Sequence, residues 1–463
     1  MVPLKQLTTA EGRTLGRFDR GEETLMEPLE YPNKTETKLK RIAWLSSRDK
    51  TKVFRNLMHH FNVESLRGSY NELDGKKAVG ADGVTKEAYG EGLTEKLQEL
   101  VERMKRMAYR PGAVREVLIP KTDKPGALRP LAISNFEDKL VQKMMQKVLE
   151  SIYEPLFLEN SYGFRPGRGC HDAIRALMNY LFRYEVEKVI DVDISNFFGT
   201  IDTKMLEATL GEKIKDRKFL RYINRMSKAG VLRNGELEIN EEGVQQGSMC
   251  SPVLANVYAH YVIDEWFEEV VKKHCNGRVE LFRYCDDAVI CCQYEKDAER
   301  IKAVLAKRLG KYNLQLNVDK THCVSFSKRQ QRNGVKQGTF DFLGFTFYLG
   351  RSTTGVLIPK VKTSKKRLRS KLKGLTEWIK ASKDREKMKV LWKTFASKVR
   401  GHFQYYGVSH NIQGIKQFLH EAVRIMFKWL NRRSQRKSFD WERYRQFIAN
   451  NMLPRPQIHH KIF

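Results

Sequence analysis

The sequence runs to 463 residues, about three domains' worth by ordinary size, and its 41% hydrophobic and 10% aromatic content excludes global disorder. No apolar run approaches the roughly 18 residues of a membrane span, and the seven Cys form no CxxC pair, which argues against a disulfide scaffold or a zinc ribbon. The formal charge is +30 and uneven: residues 351–463 hold 28 Lys/Arg against 6 Asp/Glu, net +22, whereas the first 350 residues net only +8.

A positive field of that size attracts polyanions, nucleic acid foremost, with an acidic membrane as a distant alternative. The opening MVPLKQLTTAEGR lacks a basic and then apolar leader. An intracellular, reducing setting is therefore expected.

Residues 1–40 are polar with little periodicity and read as an extended N-terminal arm. From Lys38 to Arg110 helical patterns dominate, broken by the Gly-rich turn VGADGV at 79–84. Between Val114 and Leu349 short β-rich runs appear: REVLIP at 115–120, KVIDVDI at 188–194, LFRYCDDAVICC at 281–292, HCVSF at 322–326 and FDFLGFTFYL at 340–349. Helical stretches such as DKLVQKMMQKVLESIY and SPVLANVYAHYVIDEWFEEVVKK separate them. Strands alternating irregularly with helices predict an α+β domain around a small, mostly antiparallel sheet. Beyond Gly350 the pattern turns helical and basic. Leu368, Leu372, Leu375 and Ile379 make one apolar stripe. Leu391, Phe395, Val399 and Phe403 make a second, and Ile415 to Trp429 a third. This predicts three helices with a positive exterior. The tail from Asn431 mixes basic and aromatic residues, a composition suited to stacking on a single strand or an RNA loop.

The chemistry concentrates in the middle. Asp286 and Asp287 sit between apolar runs, which predicts a hairpin with the acids at its tip. Two like charges in a buried neighbourhood are costly unless something positive compensates them, and a divalent metal is the usual compensator. Asp193 closes the run KVIDVDI, with Asp191 alternating on the same strand. The ordinary alternative for Asp193 is a helix N-cap. Two-metal phosphoryl transfer needs carboxylates from separate strands converging on ions ~3.5–4 Å apart. Asp193 with Asp286–Asp287 offers such a set. GVQQGSMCSP puts Gln246 and Gly247 in a turn where backbone can approach a nucleotide. IPKTDKPGALRPLAI offers Lys121, Lys124 and Arg129 around a Gly-containing hairpin, suited to gripping a triphosphate.

In chain order the segments are this basic hairpin, SYGFRPGRGC, DISNFF, QGSMCSP, YCDD, LNVDK and FLGF. Together they resemble the reverse transcriptases of the group II intron family, the intron-encoded maturases. The resemblance runs from about Asp49 to the C-terminus. It implies a right-hand polymerase fold: fingers and palm over 41–350, a helical thumb or X domain over 351–430, and a basic aromatic tail over 431–463. It implies RNA-directed DNA polymerase activity on an RNA template and primer with dNTPs. Two Mg2+ ions, with Mn2+ as a substitute, are the expected cofactors. Intron RNA and target DNA are the expected further partners, without a membrane, in a bacterial cytoplasm or an organelle.

Residue by residue, the resemblance makes Asp193, Asp286 and Asp287 the metal-binding acids, with Ile194 lending only its carbonyl. Phe198 matches the steric gate beneath the sugar; its alternative is a core aromatic. Gln246 matches the residue beside the incoming nucleotide, and Lys121 and Arg129 the triphosphate grip. Lys320 matches a motif lysine proposed to protonate pyrophosphate; its alternative is a solvated helix-end lysine. Arg165 and Arg168 match template phosphate contacts, for which an ordinary surface loop is the alternative. Phe342, Leu343 and Gly344 lie in the primer grip, for which a buried strand is the alternative. Lys365, Lys366, Arg367 and Arg369 open the thumb and are expected to bind RNA.

Three positions depart from the family pattern. Gly199 stands where an acid usually ends FFD, Cys285 replaces Ala of YADD, and Gln245 replaces Pro of PQG. None removes an expected metal ligand, so activity is expected. No Cys follows Cys323, so the nuclease of longer members, with its paired CxxC elements, is not expected here. Two other readings remain open: a same-lineage enzyme serving defence or repair, and a non-catalytic RNA-binding splicing cofactor.

Overall fold

The alternation expected of the acid-bearing strands builds the middle of the molecule. A computed structural model describes residues 34–120, 128–233, 236–238, 243–433 and 439–462. Among these residues twelve strands make three sheets. They are β1 (Val114–Pro120), β2 (Leu128–Ile133), β3 (Lys188–Ser195), β4 (Val231–Arg233), β5 (Glu236–Glu238), β6 (Val279–Tyr284) and β7 (Asp287–Cys292). Then follow β8 (Gln315–Leu316), β9 (His322–Ser325), β10 (Phe340–Phe342), β11 (Phe345–Arg351) and β12 (Leu357–Thr363). The fingers sheet has the order β2-β1-β4-β5, and only its β1–β4 pairing is parallel. The palm sheet has the order β6-β7-β3-β8, with β9 also on β3, all antiparallel. The third sheet is β10-β11-β12.

Successive side chains on a strand point to opposite faces. On β3 and β7, Ile190, Val192, Ile194 and Ile290 pack into one core with the helices Phe136–Tyr153 and Ser251–Ala259. Val189, Val289 and Cys291 pack into a second core with Phe340, Phe345, Phe347 and the thumb helices. Asp191, Asp193 and Asp287 share the parity of this second set, so they face the thumb side.

The three apolar stripes become the helices Lys365–Ser382, Met388–Tyr406 and Ile412–Leu430. Three expectations need correction. The helix Lys34–Arg48 begins inside the arm expected over 1–40; residues 1–33 lie outside the described residues. The expected boundary at 350/351 falls within β11, whose ladder with β12 runs from Phe345↔Thr363 to Arg351↔Leu357. The helical part therefore starts at Lys365. Strand β12 reads LIPKVKT, and its lysines and proline hid an inward row of Leu357, Pro359 and Val361. Pro359 is tolerated because β12 is an edge strand. Most of the tail aromatics are also taken up by packing, although Trp441 stays exposed. Tyr444 is fully buried, and Phe439 and Phe447 pack around it with Trp392, closing the thumb core through the helix Trp441–Asn450.

Candidate active site

The acids meet by register. Asp193 of β3 lies directly opposite Asp287, the first residue of β7. Asp286 sits beside it in the two-residue turn between Tyr284 and Asp287. Solvent reaches Asp287, but protein crowds its other sides. That crowding, then the charges of Asp286 and Asp193, push its pKa up to about 6, while Arg367 and Lys320 pull it back. Burial, then Asp287, Asp341 and Asp193, push Asp191 up to about 7. The site thus holds two more acids than the motif reading assigned, Asp191 and Asp341. Asp341 accepts a hydrogen bond from the Ser364 hydroxyl at 2.8 Å, which ties the third sheet to the start of the thumb.

Lys320 comes from the loop between β8 and β9, and its ammonium pairs with the Asp193 carboxylate. The same loop braces β3: the Asn317 N–H donates to the Asp193 carbonyl at 2.8 Å. The donor set suits Mg2+, since carboxylates and a carbonyl are hard oxygen ligands, and the mutual repulsion that raises Asp287 is what a cation relieves. The side chains are not drawn into a cage, however. Among the described residues no group of three or more His, Cys, Asp or Glu is gathered closely enough to hold an ion. Lys320 on Asp193 and Arg367 beside Asp287 carry the compensating charge in this arrangement. The Ile194 side chain is buried, so only its backbone is available to the site.

Phe198 follows Asn196, which adopts φ +46°, in the short helix Phe197–Thr200. Its ring is half-buried and edge-on to Phe197 (5.7 Å) and Phe164 (6.4 Å). The Gln246–Gly247 turn docks on the fingers, where the Ala132 N–H donates to the Gln246 carbonyl at 2.7 Å. Gly247 adopts φ +117°, and a Cβ there would collide with the Ala132 carbonyl oxygen. Gln245, in the place of the usual proline, ties the turn down by donating to the Ala229 carbonyl. The space beside Gly199, where the family has an acid, is taken by the Asn196 amide. Arg129 is exposed on β2, three residues before Ala132. Lys121 and Lys124 lie outside the described residues.

The structure corrects Arg165. Its guanidinium is buried, pairs with Glu154, and donates to the Leu158 and Ser161 carbonyls at 2.6 and 2.8 Å, so it has no face for a template phosphate. Arg168 is half-buried and paired with Glu159 at 2.8 Å. What SYGFRPGRGC does instead is support the acids. A Cβ on Gly163 would stand 2.5 Å from the Cys285 nitrogen, so only glycine fits beneath the YCDD turn.

Phe342 is buried, in line with the buried-strand alternative. Leu343 and Gly344 form a two-residue hairpin turn with φ +50° and +81°. The thumb holds this turn: Tyr405 Oη donates to the Leu343 carbonyl and the Ser364 N–H to the Gly344 carbonyl, each at 3.0 Å. Lys365, Lys366 and Arg369 are exposed. Arg367 parts from them. It is half-buried, its stem lies against Gly344, and its charge reaches Asp287, so it belongs to the active site rather than to the thumb exterior.

The largest omission from the motif reading is Arg283. It is fully buried, and all five of its N–H groups are used. Nε and Nη2 pair with the equally buried Asp264 at 2.7 and 2.5 Å. Nη2 also reaches Ser161 Oγ at 2.7 Å, and Nη1 reaches Asn256 Oδ1 at 3.1 Å and the Cys285 carbonyl at 3.0 Å. This last bond secures a turn whose Cys285 adopts φ +61°, a conformation L-residues rarely take. The signal was present: an arginine inside the apolar run LFRYC must find partners or not fold.

Comparison with known proteins agrees with this architecture. Residues 119–347 match the family model described as "Reverse transcriptase (RNA-dependent DNA polymerase)". The Escherichia coli "Protein YkfC" is 32% identical over 280 residues, covering 53% of this chain and 72% of that protein. The Lactococcus lactis "Group II intron-encoded protein LtrA" is 34% identical over 225 residues, 48% of this chain and 37% of that protein. The chain belongs to the group II intron-encoded reverse transcriptase family. A Schizosaccharomyces pombe "Uncharacterized 91 kDa protein in cob intron" is 34% identical over 238 residues, 50% of this chain. The chain spans only 29% and 37% of the fission yeast and Lactococcus relatives. Among the described residues no helix is long and apolar enough to cross a membrane.

Proposed function

We propose that this chain is an RNA-directed DNA polymerase that extends a primer on an RNA template by two-metal nucleotidyl transfer. In this reading it also binds its group II intron RNA and target DNA, assisting splicing and retrohoming inside the cell. The observation that carries the reading is the register of Asp193 against Asp287 at one end of the palm sheet, with Asp286 on the adjoining turn. Asp193, Asp286, Asp287 and the Ile194 carbonyl would hold the metal. Two bound Mg2+ ions, or Mn2+, would supply a lowered pKa for the primer hydroxyl and positive charge for the departing pyrophosphate.

The chain's own groups do the rest. Lys320, once released from Asp193, is the proton source for pyrophosphate. Phe198 closes the space under the sugar, so a ribose 2′-hydroxyl is disfavoured. Gln246 and Gly247 bring backbone against the nucleotide, and Lys121 and Arg129 grip its triphosphate. The Leu343–Gly344 turn steadies the primer, and Lys365, Lys366 and Arg369 neutralise phosphates on the thumb.

The test is primer extension on an RNA template with dNTPs and Mg2+. Extension is expected, and chelation should abolish it. Asp286→Asn should lower the rate on the order of a thousandfold with RNA affinity retained, because a charge next to the reaction is lost. Extension by Asp286→Asn at the unmodified rate would overturn the reading. Intact RNA binding without any extension would favour the non-catalytic cofactor instead.

A further inference from the structure

One cavity has no part in the site described above. It is a groove of about 550 Å3 along the free edge of the palm sheet, between β6 and the helix Cys170–Arg183. Gly277, Arg278, Val279 and Glu280 line it at the start of β6, whereas the acid turn follows the far end of that strand at Tyr284. At about 3.3 Å per residue, the two ends of the strand lie roughly 17 Å apart.

Both walls are held on fixed backbone. Asp297 is fully buried and accepts from the Gly277 N–H at 2.9 Å and the Asn276 N–H at 3.2 Å. The Arg278 N–H donates to Gln293 Oε1 at 3.0 Å, and the Gln293 N–H to the Arg278 carbonyl at 2.9 Å. Across the groove, Lys328 closes the end of the helix by donating to the Leu181, Phe182 and Tyr184 carbonyls at 2.8, 2.9 and 2.7 Å. Arg183 and Arg278 thus project from anchored segments.

Their charges are unanswered. Glu280 pairs with Lys272 at 3.0 Å and Glu159 with Arg168 at 2.8 Å, and among the described residues no carboxylate lies within 4.0 Å of Arg183 or Arg278. The Arg278 guanidinium instead lies 5.0 Å from the centre of the Tyr184 ring. Tyr180 stands beside Tyr184 with ring centres 4.9 Å apart, and both are half-buried. Among the described residues neither hydroxyl has a hydrogen-bond partner, nor does the Asn179 amide. Asn160 lines the same groove, is only 8% exposed, and its Oδ1 is also without a partner.

Guanidinium groups without a carboxylate suit a phosphate, which each can grip through two N–H groups. Tyrosine rings and an arginine plane suit a base, which stacks on them. Unused side-chain amides suit the donors and acceptors of a base edge. The volume falls within the roughly 300–1,000 Å3 of small-ligand sites. We propose that this groove is a second nucleotide site, which takes a nucleoside monophosphate with its base against Tyr180 and Tyr184 and its phosphate against Arg183 and Arg278. A free nucleotide and the terminal nucleotide of a strand both offer that unit. The site stands apart from the polymerase reading, because no palm acid or metal takes part.

The test is calorimetric binding of AMP, GMP, CMP and UMP to the full chain with EDTA present. Saturable binding is expected, and Arg183→Gln with Arg278→Gln should weaken it at least about tenfold. Both side chains are exposed, so Tm should stay within a few degrees and extension of a short primer–template should not change. A nucleotide held by the palm acids or by Arg129 would bind the double variant as well as the parent, and that result would overturn the proposal. So would affinity for inorganic phosphate equal to that for the nucleotides, which would leave the base unrecognised. A 5′-phosphorylated hexauridylate separates the two sources. Tighter binding than UMP, lost in the double variant, would assign the site to a strand end, and failure to displace UMP would assign it to the free nucleotide. Saturable binding of neither probe would overturn the proposal. Photocrosslinking with azidoadenosine monophosphate gives an independent reading, with adducts expected within 179–184 or 277–282 and labelling confined to the fingers or the acid turn counting against it. A chain that binds nucleotide here but never extends a primer would sink the polymerase reading alone.

Discussion

Asp193 and Asp287 face each other across two strands, and the groups behind them are buried and paired. Lys365, Lys366 and Arg369 stand in solvent on the first turns of a thumb helix. The palm spends its interior on fixing a few atoms, because nucleotidyl transfer fails when reacting groups are misplaced by an ångström. The thumb spreads charge over a surface, because phosphate contacts add nearly independently and any one can be lost.

The sharpest way to break this comparison is at Arg283. Arg283→Met leaves Asp264 buried and unpaired, which should cost about 3–5 kcal/mol in denaturant unfolding. Adding Asp264→Leu should return much of that stability. Extension should stay slow, since the Cys285 carbonyl still lacks its donor. A double variant that is stable and fully active would show that this network does not position the acids.

Gly247→Ala comes next. It forces a side chain into φ +117° and against the Ala132 carbonyl, so a loss of about 1–3 kcal/mol is expected, together with a raised KM for dNTPs. Phe198→Ala should leave stability nearer the parent and instead raise ribonucleotide use relative to deoxynucleotide in single-addition kinetics. If discrimination does not move, Phe198 is a packing residue held by Phe197 and Phe164. The smallest effect on chemistry is expected from Lys365→Gln, Lys366→Gln and Arg369→Gln together. RNA affinity and its salt slope should fall, while addition on a saturating primer–template survives. Arg367→Gln sharpens the contrast from within the same helix turn. Its charge sits beside Asp287, so it should lower the rate at saturation as well.

The strands carrying the acids were legible as short β-branched and apolar runs bounded by the acids, since β7 is buried along nearly its whole length and β3 on alternate residues near its end: KVIDVDI and LFRYCDDAVICC became β3, β6 and β7 with the acids at one end. The three thumb helices were legible from their apolar stripes at helical period. What escaped were partners set by tertiary contact. Nothing local in SYGFRPGRGC says that Arg165 turns inward to Glu154 or that Gly163 lies under Cys285. Asp264 lies in the first of two π-helical turns, His260–Asp264 and Phe267–Val271, inside a stretch that reads as one continuous helix. Arg367 shares a basic run with its neighbours, and only the packing of the thumb on the Leu343–Gly344 turn separates its environment from theirs.

The division between palm chemistry and thumb binding is tested most directly by one crossed measurement. Single-turnover nucleotide addition at saturating primer–template and the Kd for that primer–template are measured for Asp287→Asn and for the Lys365, Lys366, Arg369 triple variant. The account predicts a rate loss on the order of a thousandfold with little change in Kd for the first, and a weaker Kd with a nearly unchanged rate for the second. A fast Asp287→Asn enzyme, or a triple variant whose rate collapses at saturation, would contradict it.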